Sequence, residues 1–170
     1  CIGPSQEHVS MAGIPTEASV IDMVERAMPG RLVNVHAAPC GGGKFVTIIQ
    51  LRKRNINDEG RQRQAALLAF SEMKHVFLVD EDVDIFDMND VMWAMTTRFQ
   101  GDVDFIPIPG VHTHVLDPSN DPEFDPSIRV HGISCKAIFD CTVPFSMKKH
   151  FERCQFLEVD PKKWLPDFDF

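Results

Sequence analysis

The stretch from residue 75 to residue 118, HVFLVDEDVDIFDMNDVMWAMTTRFQGDVDFIPIPGVHTHVLDP, limits the fold more than any other part of the chain. It opens on Val76, Phe77, Leu78 and Val79, a short unbroken apolar run. A strand with one wet face alternates apolar and polar residues, so an unbroken run marks a strand covered on both faces. Carboxylates crowd its C-terminal end at Asp80, Glu81, Asp82 and Asp84. Asp87, Asn89 and Asp90 then offer N-caps for a helix through 91–98, where Arg98 complements the negative helix end and Gly101 closes the element. A second strand over 103–108 leads through Pro109 and Gly110 into the histidine-bearing residues 111–118. The whole run reads β-α-β.

The text before it extends the same pattern. Pro15 suits a first helical position, and Val20, Ile21, Val24, Ala27 and Met28 share one face of a helix that Pro29 and Gly30 stop. Strands follow over 31–37 and 45–51, and Asp58 is placed to cap a helix through 61–70. Gly41, Gly42, Gly43 and Lys44 lack the earlier glycine and the Ser/Thr of a phosphate loop and open a strand rather than a helix, so they read as a hairpin turn. The order α, β, β, α, β, α, β predicts an α/β sandwich with a mixed sheet, a single domain over 15–118 preceded by a connector over 1–14.

Beyond residue 118 the character changes. Six of the twelve prolines lie after residue 117, and no period is sustained. Yet Phe124, Ile128, Ile133, Ile138, Phe139, Phe145, Phe151, Phe156 and Trp164 are too many large apolar groups for a disordered linker. Residues 119–170 are expected to form an extended arm with one short helix near 146–153, packed on its own domain or on a partner subunit.

A length of 170 residues suits one core, burying roughly 70% of the unfolded surface. The formal charge of −8, with no basic cluster beyond Arg52, Lys53 and Arg54, argues against nucleic acid. No apolar run approaches the roughly 18 residues of a membrane span, so a soluble, cytoplasmic chain is expected. Cys1, Cys40, Cys135, Cys141 and Cys154 are odd in number and lack C-x-x-C spacing, which favours reduced thiols. A chain that starts on Cys1 and reads as a connector over 1–8 looks like a piece of something longer.

Ligands in α/β sheets gather outside the carboxyl ends of strands, which singles out the acidic turn and the histidine segment. The spacing of Asp80, Asp82 and Asp84 starts like a calcium loop, but Ile85 stands where glycine is needed and Val91 where glutamate is needed. The turn is then either a solvated helix-capping face or, through Asp80 and Asp82, a nucleotide-sugar site built on a divalent ion. His112 and His114 project to the same side if their backbone is extended. They are then surface groups, polar lining of a pocket, or two ligands of a zinc site needing a third such as Asp117.

Taken together, several segments carry a resemblance: GIPTEA at 13–18, VDEDVDIFD at 79–87, DVMWAMTTR at 90–98, and PGV at 109–111 with LDP at 116–118. In order and spacing, over essentially the whole chain, they resemble the C-terminal part of UbiD-like decarboxylases. GGGKF at 41–45, RQRQ at 61–64 and CKAIFD at 135–140 make it most similar to bacterial members acting on hydroxybenzoates such as gallate or protocatechuate. The resemblance implies reversible, non-oxidative decarboxylation of an aromatic acid on prenylated FMN, held with a divalent ion (Mn or Mg) and potassium. It also implies that the catalytic and cofactor-binding residues belong to an upstream N-terminal domain, so that this chain carries neither and binds no flavin alone. What carries over is the substrate side. His114 and Leu116 match pocket-lining positions, His112 stands where many members have a basic residue, and His8 precedes a helix near another pocket-facing position. Homodimers or larger homo-oligomers, with the C-terminal arm reaching a neighbour, are implied as well, so an assembly module without catalytic residues is the alternative reading.

Overall fold

The computed structural model describes residues 6–70, 73–120, 132–154 and 160–164. Its elements in chain order are α1 (Gln6–Ala27), β1 (Leu32–Ala37), β2 (Val46–Leu51), α2 (Arg61–Ala69), β3 (His75–Asp80), α3 (Met88–Arg98), β4 (Phe105–His112), β5 (Ile133–Asp140) and the short α4 (Pro161–Trp164). Short 3-10 turns occupy Pro39–Gly41, Ile56–Asp58, Pro118–Asn120 and Phe145–Phe151.

The apolar run 76–79 is β3, covered on both faces as its composition predicts. Val76 and Leu78 join Ile49, Leu51 and Ile138 under α1 and α2, packing on Val20, Val24, Met28, Ala65, Ala66 and Ala69. Phe77 and Val79 join Ile48 under α3, packing on Val83, Ile85, Val91 and Ala94. Phe139 stacks on Phe77 at 4.8 Å and is met by Phe99 and Phe105 at 5.9 and 5.3 Å. The sheet is mixed, in the order β1-β2-β3-β5-β4, with β2 and β5 parallel to β3 and the two outer strands antiparallel to their neighbours.

Three features depart from the expectation. First, α1 begins at Gln6, so Pro15 lies inside the helix and residues 6–14 are not a connector. The buried stripe is Gly13, Thr16, Val20, Val24 and Met28, whereas Ile21 is exposed. Met11 and Ile14 are exposed too, so the first half of α1 carries no outward sign of the core beneath it. Second, β4 does not lie beside β3, because β5, from text expected to be arm, inserts between them. The chain therefore does not leave the sheet at residue 118. Pro107 and Pro109 have no amide to donate, which suits an edge strand, and β4 runs through a register shift between Ile108 and Val111 to His112 rather than ending at 108. The short helix near 146–153 is a 3-10 turn, Trp164 is exposed, and Phe124, Ile128 and Phe156 lie outside the described residues.

Third, helix ends are made differently. Gly60, at φ 78°, occupies the N-cap of α2, while Asp58 turns away to accept from the Arg54 amide at 2.9 Å and Arg31 Nε at 3.0 Å. α3 is capped by Asp87, which accepts from the Asn89 amide at 2.8 Å, and stops at Arg98, with Phe99 already extended ahead of Gly101. Arg98 does more than complement a dipole. Its guanidinium turns back on the acidic end of β3, donating to Asp80 at 3.4 Å and to both oxygens of Asp82 at 3.0 and 2.5 Å. Arg153, beyond the last 3-10 turn, grips Asp90 at 2.8 and 3.0 Å and Asp82 at 3.3 Å. The Trp93 ring meets both cations, with Arg98 at 5.0 Å and Arg153 at 4.0 Å from its centre. The acidic turn is thus a lock joining β3, α3 and the following chain rather than a solvated face.

Burial pushes the Asp80 carboxyl up, although it accepts the Val143 amide at 2.7 Å. Burial also opposes ionisation of Asp82 and Asp90, but hydrogen bonds from Arg98 and Arg153 outweigh it and hold both below the usual carboxylate range. The stabilisation from Asp82 and Asp90 is therefore complete above the unfolded value of about 3.9 and is lost as pH falls through their lowered folded values. The thermal midpoint is expected to drop between pH 5 and the acid limit, and to drop less in a double D82N/D90N variant; equal drops would rule this lock out as the cause. Arg98→Ala, which strands buried Asp80, is expected to cost about 3 kcal/mol in urea unfolding.

Candidate functional site

The loop between β1 and β2 brings a lysine to the start of the sheet. It is the tight turn that the glycines predict: Gly42 and Gly43 sit at φ 65° and 69°, a region open to glycine. A Cβ on Gly43 would lie 2.8 Å from the Val9 carbonyl oxygen, and one on Gly41 would lie 2.5 Å from the Val46 amide nitrogen. The run is therefore wedged between α1 and β2, and Lys44 leaves it in a fixed direction.

Seventy residues later the chain returns to the same place. β4 ends at His112, the Thr113 amide bonds the Gly132 carbonyl at 3.0 Å, and residues 114–117 turn back on themselves. The His114 carbonyl receives the Asp117 amide at 2.9 Å and Asn120 Nδ2 at 3.2 Å, while the Leu116 amide donates to His114 Nδ1 at 3.1 Å. The other ring nitrogen, Nε2, stands 3.1 Å from Lys44 Nζ, and the Phe45 ring meets the imidazole edge-on at 6.2 Å. The Leu116 amide and the Lys44 ammonium thus approach the ring at its two nitrogens, and the tautomer decides which of the two it accepts from. A lysine and a histidine from distant parts of the chain are thus held side by side within hydrogen-bonding distance.

Of the residues singled out in the sequence, His114 and Leu116 are brought together in this turn, with Leu116 half exposed. His112 is not: it closes β4 and is exposed, and the extended His-x-His geometry fails because the strand ends before His114 turns toward Lys44. His8 lies in the first turns of α1, next to Val9, whose backbone abuts Gly43. Lys44 is the residue that sequence reasoning passed over. It stood in a motif that failed as a phosphate loop, and the signal worth reading was a lone lysine delivered by three glycines.

At the far end of β3, a cavity of about 680 Å³ is lined by Asp80, Asp82, Arg98, Lys148, Phe151 and Arg153. Asp80 and Asp82 face arginine there, so both carboxylates are paired with the protein's own cations. Among the described residues no three His, Cys, Asp or Glu side chains are grouped to hold a metal. Three basic groups of the cavity meet carboxylates, Arg98 at Asp80 and Asp82, Lys148 at Glu81, and Arg153 at Asp82 and Asp90, and Lys149 lines it as well. No helix among them is long and apolar enough to cross a membrane.

Comparison with known proteins places this geometry. The UbiD C-terminal family, described as 3-octaprenyl-4-hydroxybenzoate carboxy-lyase C-terminal domain, matches residues 9–141. A gallate decarboxylase of Lactiplantibacillus plantarum is 61% identical over 169 residues, 96% of this chain and 34% of the relative. The apo crystal structure of the Klebsiella pneumoniae 3,4-dihydroxybenzoic acid decarboxylase is 59% identical and superposes with a TM-score of 0.85, covering 97% of this chain and 34% of that one. An evolved dimeric form of the UbiD-class enzyme HmfF of Pelotomaculum thermopropionicum, solved in complex with prFMN, is 29% identical with a TM-score of 0.67, covering 89% of this chain and 29% of that one. The chain spans about a third of the length of these relatives. It belongs to the UbiD family of carboxy-lyases, as a C-terminal domain closely related to those of bacterial hydroxybenzoate and gallate decarboxylases.

Proposed function

We propose that this chain forms the substrate-side wall of a reversible, non-oxidative decarboxylase acting on a hydroxylated benzoate. The observation that carries the reading is the convergence of Lys44 Nζ and His114 Nε2 at 3.1 Å. A ring hydroxyl that meets this pair can bond to either side chain, and a donor aimed at its oxygen stabilises negative charge developing there during the reaction. The Phe45 ring supplies apolar surface beside the histidine. The names of the gallate and 3,4-dihydroxybenzoic acid decarboxylases support the substrate class, since both acids carry adjacent ring hydroxyls.

The rest of the machinery lies elsewhere in this reading. Prenylated FMN, which supplies the electron sink, is held with Mn or Mg and potassium by an upstream N-terminal domain, against which the Lys44 loop and the His114 turn close. His8, on α1 beside that loop, belongs to the same wall, and His112 takes no part in the pair. The complete enzyme is a homo-oligomer.

Two outcomes are expected. In the complete enzyme, His114→Phe should lower kcat/KM for 3,4-dihydroxybenzoate by roughly a hundredfold, as loss of one directed donor does, with little change in the thermal midpoint. An unchanged rate would overturn the pocket role. The 170-residue chain alone should purify without flavin absorbance and release no carbon dioxide from hydroxybenzoates; a flavin band or measurable release would overturn the division of labour.

A further inference from the structure

We propose that Lys74 and Asp117 are positioning residues that set the separation of Lys44 and His114, and so decide how strongly the wall distinguishes hydroxylated from unhydroxylated benzoates. The inference rests on the reading of Lys44 and His114 as a hydroxyl-binding pair. Those two side chains stand on stretches far apart in sequence, one after a glycine turn and one in a turn beyond a strand end. Something must hold the two stretches at a fixed distance.

Lys74 touches both. Its main-chain amide, together with that of His75, donates to the Phe45 carbonyl at 2.9 and 2.8 Å, which fixes the residue next to Lys44 against the start of β3. The Lys74 carbonyl accepts the Ala137 amide at 2.9 Å, so its backbone is held between β2 and β5. From that fixed backbone the side chain reaches the His114 turn, with Nζ 2.8 Å from Asp117 Oδ2 and bonded to Ser119 Oγ.

Asp117 converts that contact into a position for His114. It is buried, with a relative exposure of 4%. Oδ1 accepts the Ser119 amide at 3.0 Å and the Ser119 hydroxyl at 2.8 Å, and the Asp117 amide donates to the His114 carbonyl at 2.9 Å. Buried Asn120 donates to the same carbonyl at 3.2 Å. The path from Lys44 to His114 thus runs through hydrogen bonds of Phe45, Lys74 and Asp117, each fixed at both ends. Burial opposes the Asp117 charge, but bonds from Lys74 and Ser119 hold its carboxyl below the usual range, so the link stays ionised at neutral pH. A buried ion pair of this kind is a weak source of net stability, and what it supplies is a fixed geometry.

The test is a double-mutant cycle in the complete holoenzyme, reading the dissociation constants of 3,4-dihydroxybenzoate and of benzoate for the wild type, Lys74→Met, His114→Phe and the pair. Lys74→Met is expected to weaken 3,4-dihydroxybenzoate roughly tenfold or more while leaving benzoate within twofold, and to add nothing in the His114→Phe background. Asp117→Asn, which keeps shape and removes the charge, should act in the same direction, and Lys74→Arg should recover part of the loss. If His114→Phe lowers the preference and both Lys74→Met and Asp117→Asn leave it intact, the positioning role is overturned and the hydroxyl-binding pair stands. Equal losses from Lys74→Met in both backgrounds, or equal losses for both acids, would mark a purely structural ion pair and overturn it too. If His114→Phe itself leaves the preference unchanged, the underlying pair fails and this proposal with it.

Discussion

The double burial of β3 is the constraint from which the rest of the domain follows. A strand with apolar groups on both faces and a parallel neighbour on each edge has no freedom to shift register, because a slip of one residue would exchange the contents of both cores. Whatever is attached to its ends inherits that rigidity. At its N-terminal end the amides of Lys74 and His75 hold Phe45, and with it the lysine that faces His114. At its C-terminal end Asp80 holds the Val143 amide and meets Arg98. One strand therefore organises the pair of Lys44 and His114 at one end and a charge lock at the other.

Much of this was legible in the text of the chain. The apolar run, the N-cap at Asp87, the glycine turn and the alternation of helices and strands up to residue 118 all rest on local signals, and local signals are what a sequence displays. β5 was hidden because Lys136 interrupts its apolar pattern; in the structure that lysine is buried, with its ammonium 5.6 Å from the centre of the Phe70 ring. The start of α1 was hidden because Pro15 is a good first residue and the exposed Met11 and Ile14 give no amphipathic sign before it. The place of β4 was written in Pro107 and Pro109, but which strand fills the gap beside β3 is decided by packing that no local pattern records.

The site divides in the same way. His114 and Leu116 were marked by resemblance, and the structure sets them in one turn, with the Leu116 amide on the imidazole. Lys44 could not be found by spacing, since the contact that gives it meaning is made across 70 residues. The acidic turn misled in the opposite sense. Its carboxylates are conspicuous in the text, yet their partners, Arg98 and Arg153, come from the end of a helix and from beyond the sheet, and with the Trp93 ring against both they turn a run of like charges into a joint.

The edge position of β4 carries a consequence for how such a domain meets its neighbours. A strand that ends a sheet ordinarily offers a row of amides on which a foreign strand can zip, the route to runaway polymers. In β4 two of eight positions are proline and the ladder is broken by a register shift, so that row is incomplete. Association across this edge must then be written in side chains, whose pairing is selective, and not in the indiscriminate grammar of the peptide backbone.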